Sequence, residues 1–308
     1  MRLVRDEVRV QVPATSANLG PGFDSFGLAH ALHDRVRVRA TAGRTEVRVF
    51  GEGAGEVPGG DDHLVVRALR AGLDHAGAPQ AGFSLDCENA IPHGRGLGSS
   101  AAAVVAGLVA ARGLISEPEA LDDHVLLQLA TEFEGHPDNA APALLGGATV
   151  AWMNGREAHA ARIEVDPRIA VTVLIPTERL PTSRARAALP ATVAHADAAF
   201  NAGRAGLLTL ALSSRPDLLL PATADRLHQA QRADAMMASI ALVGRLREAG
   251  HPAVVSGAGP TVLVLADLGG EVVAGLGPEW TVRRPAIDAD GARTIPTHAE
   301  AQRASGQH

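Results

Sequence analysis

The run Pro92-His93-Gly94-Arg95-Gly96-Leu97-Gly98-Ser99-Ser100-Ala101-Ala102 constrains this chain more than any other segment. Three glycines at alternate positions strip the loop of side chains, so its backbone N–H groups can converge on an anion. The Ala/Val stretch from Ala101 to Ala111, broken only by Gly107, predicts a helix directly after it. A glycine loop that opens a helix adds the unpaired donors and positive dipole end of the helix N-terminus. The hydroxyls of Ser99 and Ser100 then stand where they can bond a phosphate or reach a metal ion. The bland alternative is a glycine turn with serine caps and nothing bound.

Other phosphate loops fit poorly. The dinucleotide fingerprint and the protein-kinase loop both require a glycine where Ser99 stands. A Walker loop requires Lys, and all 28 basic residues of this chain are Arg. The same lack excludes Schiff-base and pyridoxal chemistry. It is read as a codon bias toward Arg and Ala. No Gly-x-Ser-x-Gly elbow occurs at this loop, which argues against a hydrolase.

With 308 residues, the chain is expected to form two domains that share a large core. Only 3% of it is aromatic, so that core must rest on Ala, Val and Leu. A net charge of -6 and a pI near 6.1 argue against a nucleic-acid or anionic-membrane partner. Met1 to Asp6 lacks the apolar centre of a signal peptide, and no apolar run is long enough to span a bilayer, so the expected address is cytoplasmic. Cys87, the single cysteine, lies between Asp86 and Glu88, charges that raise a thiol pKa, and reads as inert packing. His30 and His33 lack a third ligand nearby in sequence and are not read as a metal site.

Val8, Val10 and Val12 predict a first strand that runs into a turn-forming stretch, Pro13 to Asp24. Further strands are expected at Val36–Ala40, Thr45–Phe50, Phe83–Cys87 and Ala148–Met153. Helices are expected from about His63 and over Leu121–Phe133. The turn pair Asn154-Gly155 is taken as the boundary, giving domains 1–155 and 156–308. In the second half, Ile169, Val171, Val173 and Ile175 alternate as a strand. Helices are expected near Pro181–Ala188, Ala194–Leu212 and Ala235–Ala249. Ala253–Ser256 and Thr261–Leu265 flank Gly257-Ala258-Gly259-Pro260 as strand-turn-strand. The polar tail after Pro296 is expected to fray.

The pattern Pro-x-Gly-x-Gly-Leu-Gly-Ser-Ser-Ala resembles the ATP-binding signature of the GHMP kinases. Two further motifs occur in order. Pro13 to Gly27, PATSANLGPGFDSFG, resembles the N-terminal motif of that family, and Ser256 to Thr261 its C-terminal glycine motif. Glu134-Gly135-His136-Pro137-Asp138-Asn139-Ala140-Ala141-Pro142 is similar to the branch of the family that acts on L-homoserine. The resemblance spans nearly the whole chain. It implies an α+β fold with an N-terminal domain like ribosomal protein S5 domain 2, a ferredoxin-like C-terminal domain, and the nucleotide between them. It also implies phosphorylation of homoserine on the route to threonine, and a homodimer. A kinase for mevalonate or a methylerythritol derivative and a non-catalytic ATP sensor are the alternatives.

By the same resemblance, Pro92 to Ala102 carries the triphosphate of ATP, and Ser100 and Glu134 hold Mg²⁺. Asn18 and Asp24 face the substrate, with Asp24 on its ammonium and Arg186 and Arg232 on its carboxylate. Thr182, Asn139 and Gly257 complete the shell. Asn139, Glu134, Ser100 and Arg186 are the expected catalytic residues. Asn139 stands where other branches carry a general-base Asp. Direct attack by the substrate hydroxyl is therefore expected, with neighbouring Asp138 as the candidate substitute base. Two features depart from the family pattern: the short segment between Glu134 and Asn139, and His63 at a position where relatives often place Asn near the adenine.

Overall fold

Val8, Val10 and Val12 are buried, as their period-two spacing requires. They belong to β1 (Glu7–Ala17), which is longer than expected. Pro13 to Ala17, read from sequence as part of a turn, is strand. A register shift between Pro13 and Ala14 absorbs the proline, and the ladder to β2 (Phe26–Thr41) then resumes from Ala14 opposite His30. The turn itself is confined to the residues between the two strands. There Asn18, Leu19 and Asp24 take positive φ of 70°, 47° and 54°, backbone that costs a non-glycine residue energy. The computed structural model describes residues 1–296, so the tail expected to fray after Pro296 lies outside the described residues.

The chain continues through β3 (Glu46–Gly51), α1 (Leu64–His75), β4 (Gly82–Asn89), α2 (Ser99–Leu114), α3 (Asp123–Glu134) and α4 (Ala140–Leu145). The hairpin β5 (Ala148–Asn154) and β6 (Glu157–Ile163) follows. The first sheet has the order β11-β1-β2-β4-β3, where β11 is Arg293–Ile295, and β5 joins it through β2 and carries β6. Asn154-Gly155 is the turn of that hairpin, with Asn154 paired to Glu157. The expected division at 155 thus falls inside a hairpin, and the first sheet takes β6 and β11 from beyond it. Helix α2 is apolar on nearly every side and is enclosed by its neighbours. A Cβ on its Gly107 would stand 2.3 Å from the Val65 carbonyl, so glycine lets α1 cross at close range.

The second sheet comprises β7 (Thr172–Pro176), β8 (Ala253–Val255), β9 (Val262–Val264) and β10 (Trp280–Arg283), in the order β10-β7-β9-β8 and antiparallel throughout. Between β7 and β8 lie α5 (Thr182–Ala187), α6 (His195–Ser213), α7 (Leu219–Ala222), a 3-10 turn at Ala230–Ala235 and α8 (Met237–Glu248). α9 (Gly270–Ala274) precedes β10. A β-α-β-β-α-β order of this kind is ferredoxin-like, as expected. Both of its faces are covered. Val173, Ile175, Val254 and Leu263 join the large core that runs through α6 and the first sheet. Leu174, Val255, Val262 and Val264 turn the other way, onto a smaller core with α8.

Candidate active site

Two adjoining cavities share the loop between β4 and α2. Gly94, Gly96 and Gly98 take φ of 64°, 73° and 67°, a left-handed path that any side chain would strain. Gly98 immediately precedes α2, and a Cβ there would stand 2.0 Å from Thr15 Oγ1 and 3.1 Å from Asn139 Oδ1. Torsion and close approach thus both require glycine where the sequence places it. The first cavity, about 400 Å³, reaches from Ser99 and Ser100 past His93 to His63 and Asp34. The second, about 360 Å³, is lined by the same two serines and by Glu134 and Asn139. It also collects Asn18, Asp24, Thr182, Arg186, Arg232 and Gly257, the whole set expected to face the substrate.

Helix α3 delivers Glu134 to this place by ending there, since Gly135 follows in a left-handed conformation with φ 82°. The Ser100 hydroxyl donates to Glu134 Oε1 at 2.6 Å. Burial raises the Glu134 pKa, and the Ser100 bond only partly offsets it. The residue departs from ordinary carboxylate behaviour because it is desolvated and, among the described residues, no arginine pairs with it. Two hard oxygen donors at a helix N-terminus, one of them a desolvated carboxylate, are a donor set that suits Mg²⁺. The short Glu134–Asn139 segment does not keep the carboxylate from Ser100.

Asp24 and Arg186 form a forked pair, Arg186 Nη2 donating to Oδ1 at 2.7 Å and Nη1 to Oδ2 at 3.2 Å. Arg232 is 2% exposed, and no carboxylate pairs with it among the described residues. It donates to the Ala185 carbonyl at 3.2 Å and to the Gly257 carbonyl at 3.1 Å. Burial, and then Arg186, hold its pKa below the usual guanidinium value. Phe23 lies beneath both guanidinium groups, 5.8 Å from Arg186 and 5.6 Å from Arg232. Asn18 bridges the two halves: Nδ2 donates to the Gly257 carbonyl at 2.9 Å, while Oδ1 accepts the Asp24 N–H at 3.0 Å.

Asn139 Oδ1 accepts the Thr15 hydroxyl at 2.9 Å. Asp138 is buried and bonds His136 Nδ1, and Asn139 Nδ2 donates to it at 3.4 Å. Burial alone would lower the His136 pKa, but the bond and charge of Asp138 outweigh it and raise the value. Both of these contacts fall on Asp138 Oδ1.

Some loop residues point elsewhere. Leu97 and Ala101 are buried, so only their backbone is available to a ligand. Pro92 and Arg95 line a cavity on the far side of the loop, where Arg95 donates to the carbonyls of Pro176 and Thr177. His63 is buried at the end of the first cavity with Nδ1 unpartnered, and burial, then His93, lower its pKa. His136 and Phe23, which sequence reasoning did not single out, line or support the cleft. The signal for His136 was its place two residues before Asp138. Phe23 lies inside the Pro13–Gly27 motif, but nothing local marks its place beneath the two guanidinium groups. Cys87 is buried, and its thiol is pushed up to about 12 by burial, then by Asp34 and Asp86.

The model for the GHMP kinases N terminal domain matches residues 63–147, a segment that contains the glycine loop, α3 and Asn139. A homoserine kinase of Streptomyces coelicolor is 53% identical over 292 residues, which is 94% of this chain and 94% of that protein. One from Rhodococcus erythropolis is 52% identical over 269 residues, 84% of this chain and 86% of its own. Among solved structures, homoserine kinase from Cytophaga hutchinsonii superposes with a TM-score of 0.80 at 24% identity, covering 95% of this chain and 98% of that one. That likeness concerns the fold. Among the described residues no helix is long and apolar enough to cross a membrane.

Proposed function

From the premise that this chain belongs to the homoserine kinase family of the GHMP kinases, we propose how its cleft performs the family's reaction. The chain transfers a phosphoryl group from ATP to the side-chain hydroxyl of L-homoserine, giving O-phospho-L-homoserine and ADP, a step of threonine biosynthesis. The observation that carries the residue assignments is the grouping of Asp24, Arg186 and Arg232 beside Ser100 in one cleft.

That grouping suits the head of an α-amino acid. Asp24 takes the ammonium, and Arg186 and Arg232 take the carboxylate with their planar forks. Asp24 and Arg186 satisfy each other in the structure described, so an incoming zwitterion replaces one ion pair by two and leaves the cleft's charge unchanged. Thr182, Asn18 and the Gly257 backbone close the shell around it. The triphosphate lies over the glycine loop, where N–H groups and the α2 N-terminus face it. Ser100 and Glu134 are the residues that would hold Mg²⁺. When bound, that ion supplies positive charge to the phosphoryl oxygens.

In the transfer step the homoserine hydroxyl oxygen forms a bond to the γ-phosphorus while the bond to the β,γ-bridging oxygen breaks. The hydroxyl proton passes to a phosphoryl oxygen. A loose transition state tolerates the absence of a base, because little nucleophilic push is needed once the two groups are aligned. Asn139 cannot accept a proton at neutral pH. Asp138 is bonded to His136 and Asn139, which supports a positioning role for it.

A coupled assay of ADP release with homoserine, with mevalonate and with no acceptor tests the reading. Release that depends on homoserine alone is expected; equal release without acceptor from folded, ATP-binding protein refutes it. A cytoplasmic homodimer completes the proposal. Light scattering of the purified protein reports the mass, and a monomer would refute that part.

A further inference from the structure

A buried line of polar side chains ends on the glycine loop. His30 Nε2 lies 2.7 Å from the Ser16 hydroxyl, Ser16 lies 2.7 Å from the Ser256 hydroxyl, and Ser256 lies 2.5 Å from the Gly96 carbonyl. His30, Ser16 and Ser256 are each at most 1% exposed. The line draws one residue from β1, one from β2 and one from the turn after β8, so it touches all three glycine-bearing motifs. None of its side chains belongs to the set proposed to hold substrate.

Proton counting fixes its direction. A carbonyl only accepts, so the single hydroxyl proton of Ser256 goes to Gly96. The proton between the two serines must then come from Ser16. That leaves Ser16 with only lone pairs for His30, so Nε2 must carry the ring N–H. The reverse order, with Ser16 donating to His30, leaves one of the two contacts of Ser256 without a proton, either the one to Gly96 or the one to Ser16. His30 Nδ1 is consequently a bare lone pair, which agrees with its being buried without a partner. Burial also lowers the ring's pKa to about 4, so it is neutral at physiological pH, and the hydrogen-bond order selects its tautomer.

The loop needs such a constraint. Gly96 has no side chain and takes a left-handed φ of 73°, so its carbonyl is placed by the hydrogen bond it accepts from Ser256 rather than by packing of its own Cβ. The peptide that follows is planar and trans, so that carbonyl and the Leu97 N–H point in opposite directions. Among the described residues no acceptor takes the Leu97 N–H. We propose that His30 is a positioning residue: through Ser16 and Ser256 it holds the Gly96 carbonyl away from the nucleotide, and so presents the Leu97 N–H to the ATP phosphates. The inference rests on the reading that the triphosphate lies over this loop.

The test reads the tautomer and the nucleotide affinity separately. Two-bond proton–nitrogen correlation on the ¹⁵N-histidine-labelled full chain should show His30 protonated at Nε2. Calorimetry with ATP and no acceptor should give a dissociation constant roughly tenfold weaker for Ser16→Ala, Ser256→Ala and His30→Leu, the loss expected for one buried hydrogen bond. His30→Gln, whose amide N–H reaches the place of Nε2, should stay within about twofold of the unaltered chain. KM for homoserine and kcat at saturating ATP should not move, whereas a merely structural defect would lower the melting temperature and leave the ATP affinity of the folded fraction intact. If His30→Leu fails to fold, Ser16→Ala and the tautomer decide. An Nδ1-protonated His30, or unchanged ATP affinity in folded Ser16→Ala, overturns the proposal. Failure of the unaltered chain to bind ATP would instead refute the kinase reading, and the tautomer would still judge the hydrogen-bond order.

Discussion

Asp24 and Arg186 are each about one-third exposed and sit at the mouth of the cleft, where a small zwitterion meets them before it meets Arg232. Replacing Asp24 by Asn removes the ammonium partner and leaves Arg186 without its carboxylate. Steady-state kinetics should show KM for homoserine raised about 100-fold, equivalent to roughly 3 kcal/mol, with KM for ATP within about twofold. Asp138→Asn and Asn139→Ala separate base catalysis from positioning. We expect Asp138→Asn to retain at least about a tenth of kcat, since general-base loss typically costs 10²-fold or more. If Asp138→Asn alone abolishes turnover while homoserine still binds, the base-free route is wrong. At this scale the cleft was legible through its motifs: Asn18, Asp24 and Asn139 occupy fixed places in distinctive runs. Phe23 was not, because its importance comes from the two guanidinium groups that the fold brings over it from α5 and the 3-10 turn. Arg186 and Arg232 are two among 28 arginines, and only burial and spacing in three dimensions separate them from the rest.

Elements hold these side chains in place, and two of them meet at Asp34. This β2 residue is buried, and its Oδ1 accepts the N–H groups of Ala90 and Ile91 at 2.7 and 2.9 Å, anchoring the end of β4 just before the glycine loop. Burial pushes its carboxyl up from 3.8 to about 6, against those two bonds. A carboxyl whose folded pKa is raised is penalised when charged. The penalty is absent below pH 4, grows as pH rises toward 6 and is complete above that, reaching roughly 3 kcal/mol. Asp34→Asn keeps the accepting oxygen and removes the charge. Urea midpoints should therefore rise for Asp34→Asn at pH 7.5, corresponding to up to about 3 kcal/mol of unfolding free energy, and match the unaltered chain near pH 4; an equal change at both values would show that charge is not the cause. Gly98→Ala acts on the other end of the loop. Its Cβ would collide with Thr15 Oγ1, so β1 or α2 must shift, and ATP affinity should fall at least about tenfold, with a loss of roughly 1–3 kcal/mol in unfolding free energy. Long periodic elements such as α2, α3 and α6 were legible from sequence. The second half of β1, β6 and β11 were not, because short or half-polar strands are defined by partners far along the chain.

The whole molecule has no tyrosine and only two tryptophans, one in each sheet. Trp152 in β5 is 47% exposed, and Trp280 in β10 is 9% exposed. Trp152→Phe therefore leaves a single reporter of the second sheet, and Trp280→Phe a single reporter of the first. Because one apolar core runs through both, with Val254 and Leu263 of the second sheet continuous with Leu28 and Leu85 of the first, the two emission transitions in urea should coincide. Separate midpoints would mean that the sheets unfold independently. The expectation of two units on a common core was readable from length and composition. Their interleaving was not, since a strand drawn from residues 293–295 carries no local sign of where it will pair.

That last strand has a consequence for synthesis. β11 lies against β1, Arg9 opposite Ile295, so that edge of the first sheet stays bare until residues 293–295 have left the ribosome. At roughly 5–20 residues per second, the nascent β1 waits about 15–60 s for its partner. During that interval its Arg9 and Gln11 are the charged and polar residues that discourage neighbouring chains from adding a strand there.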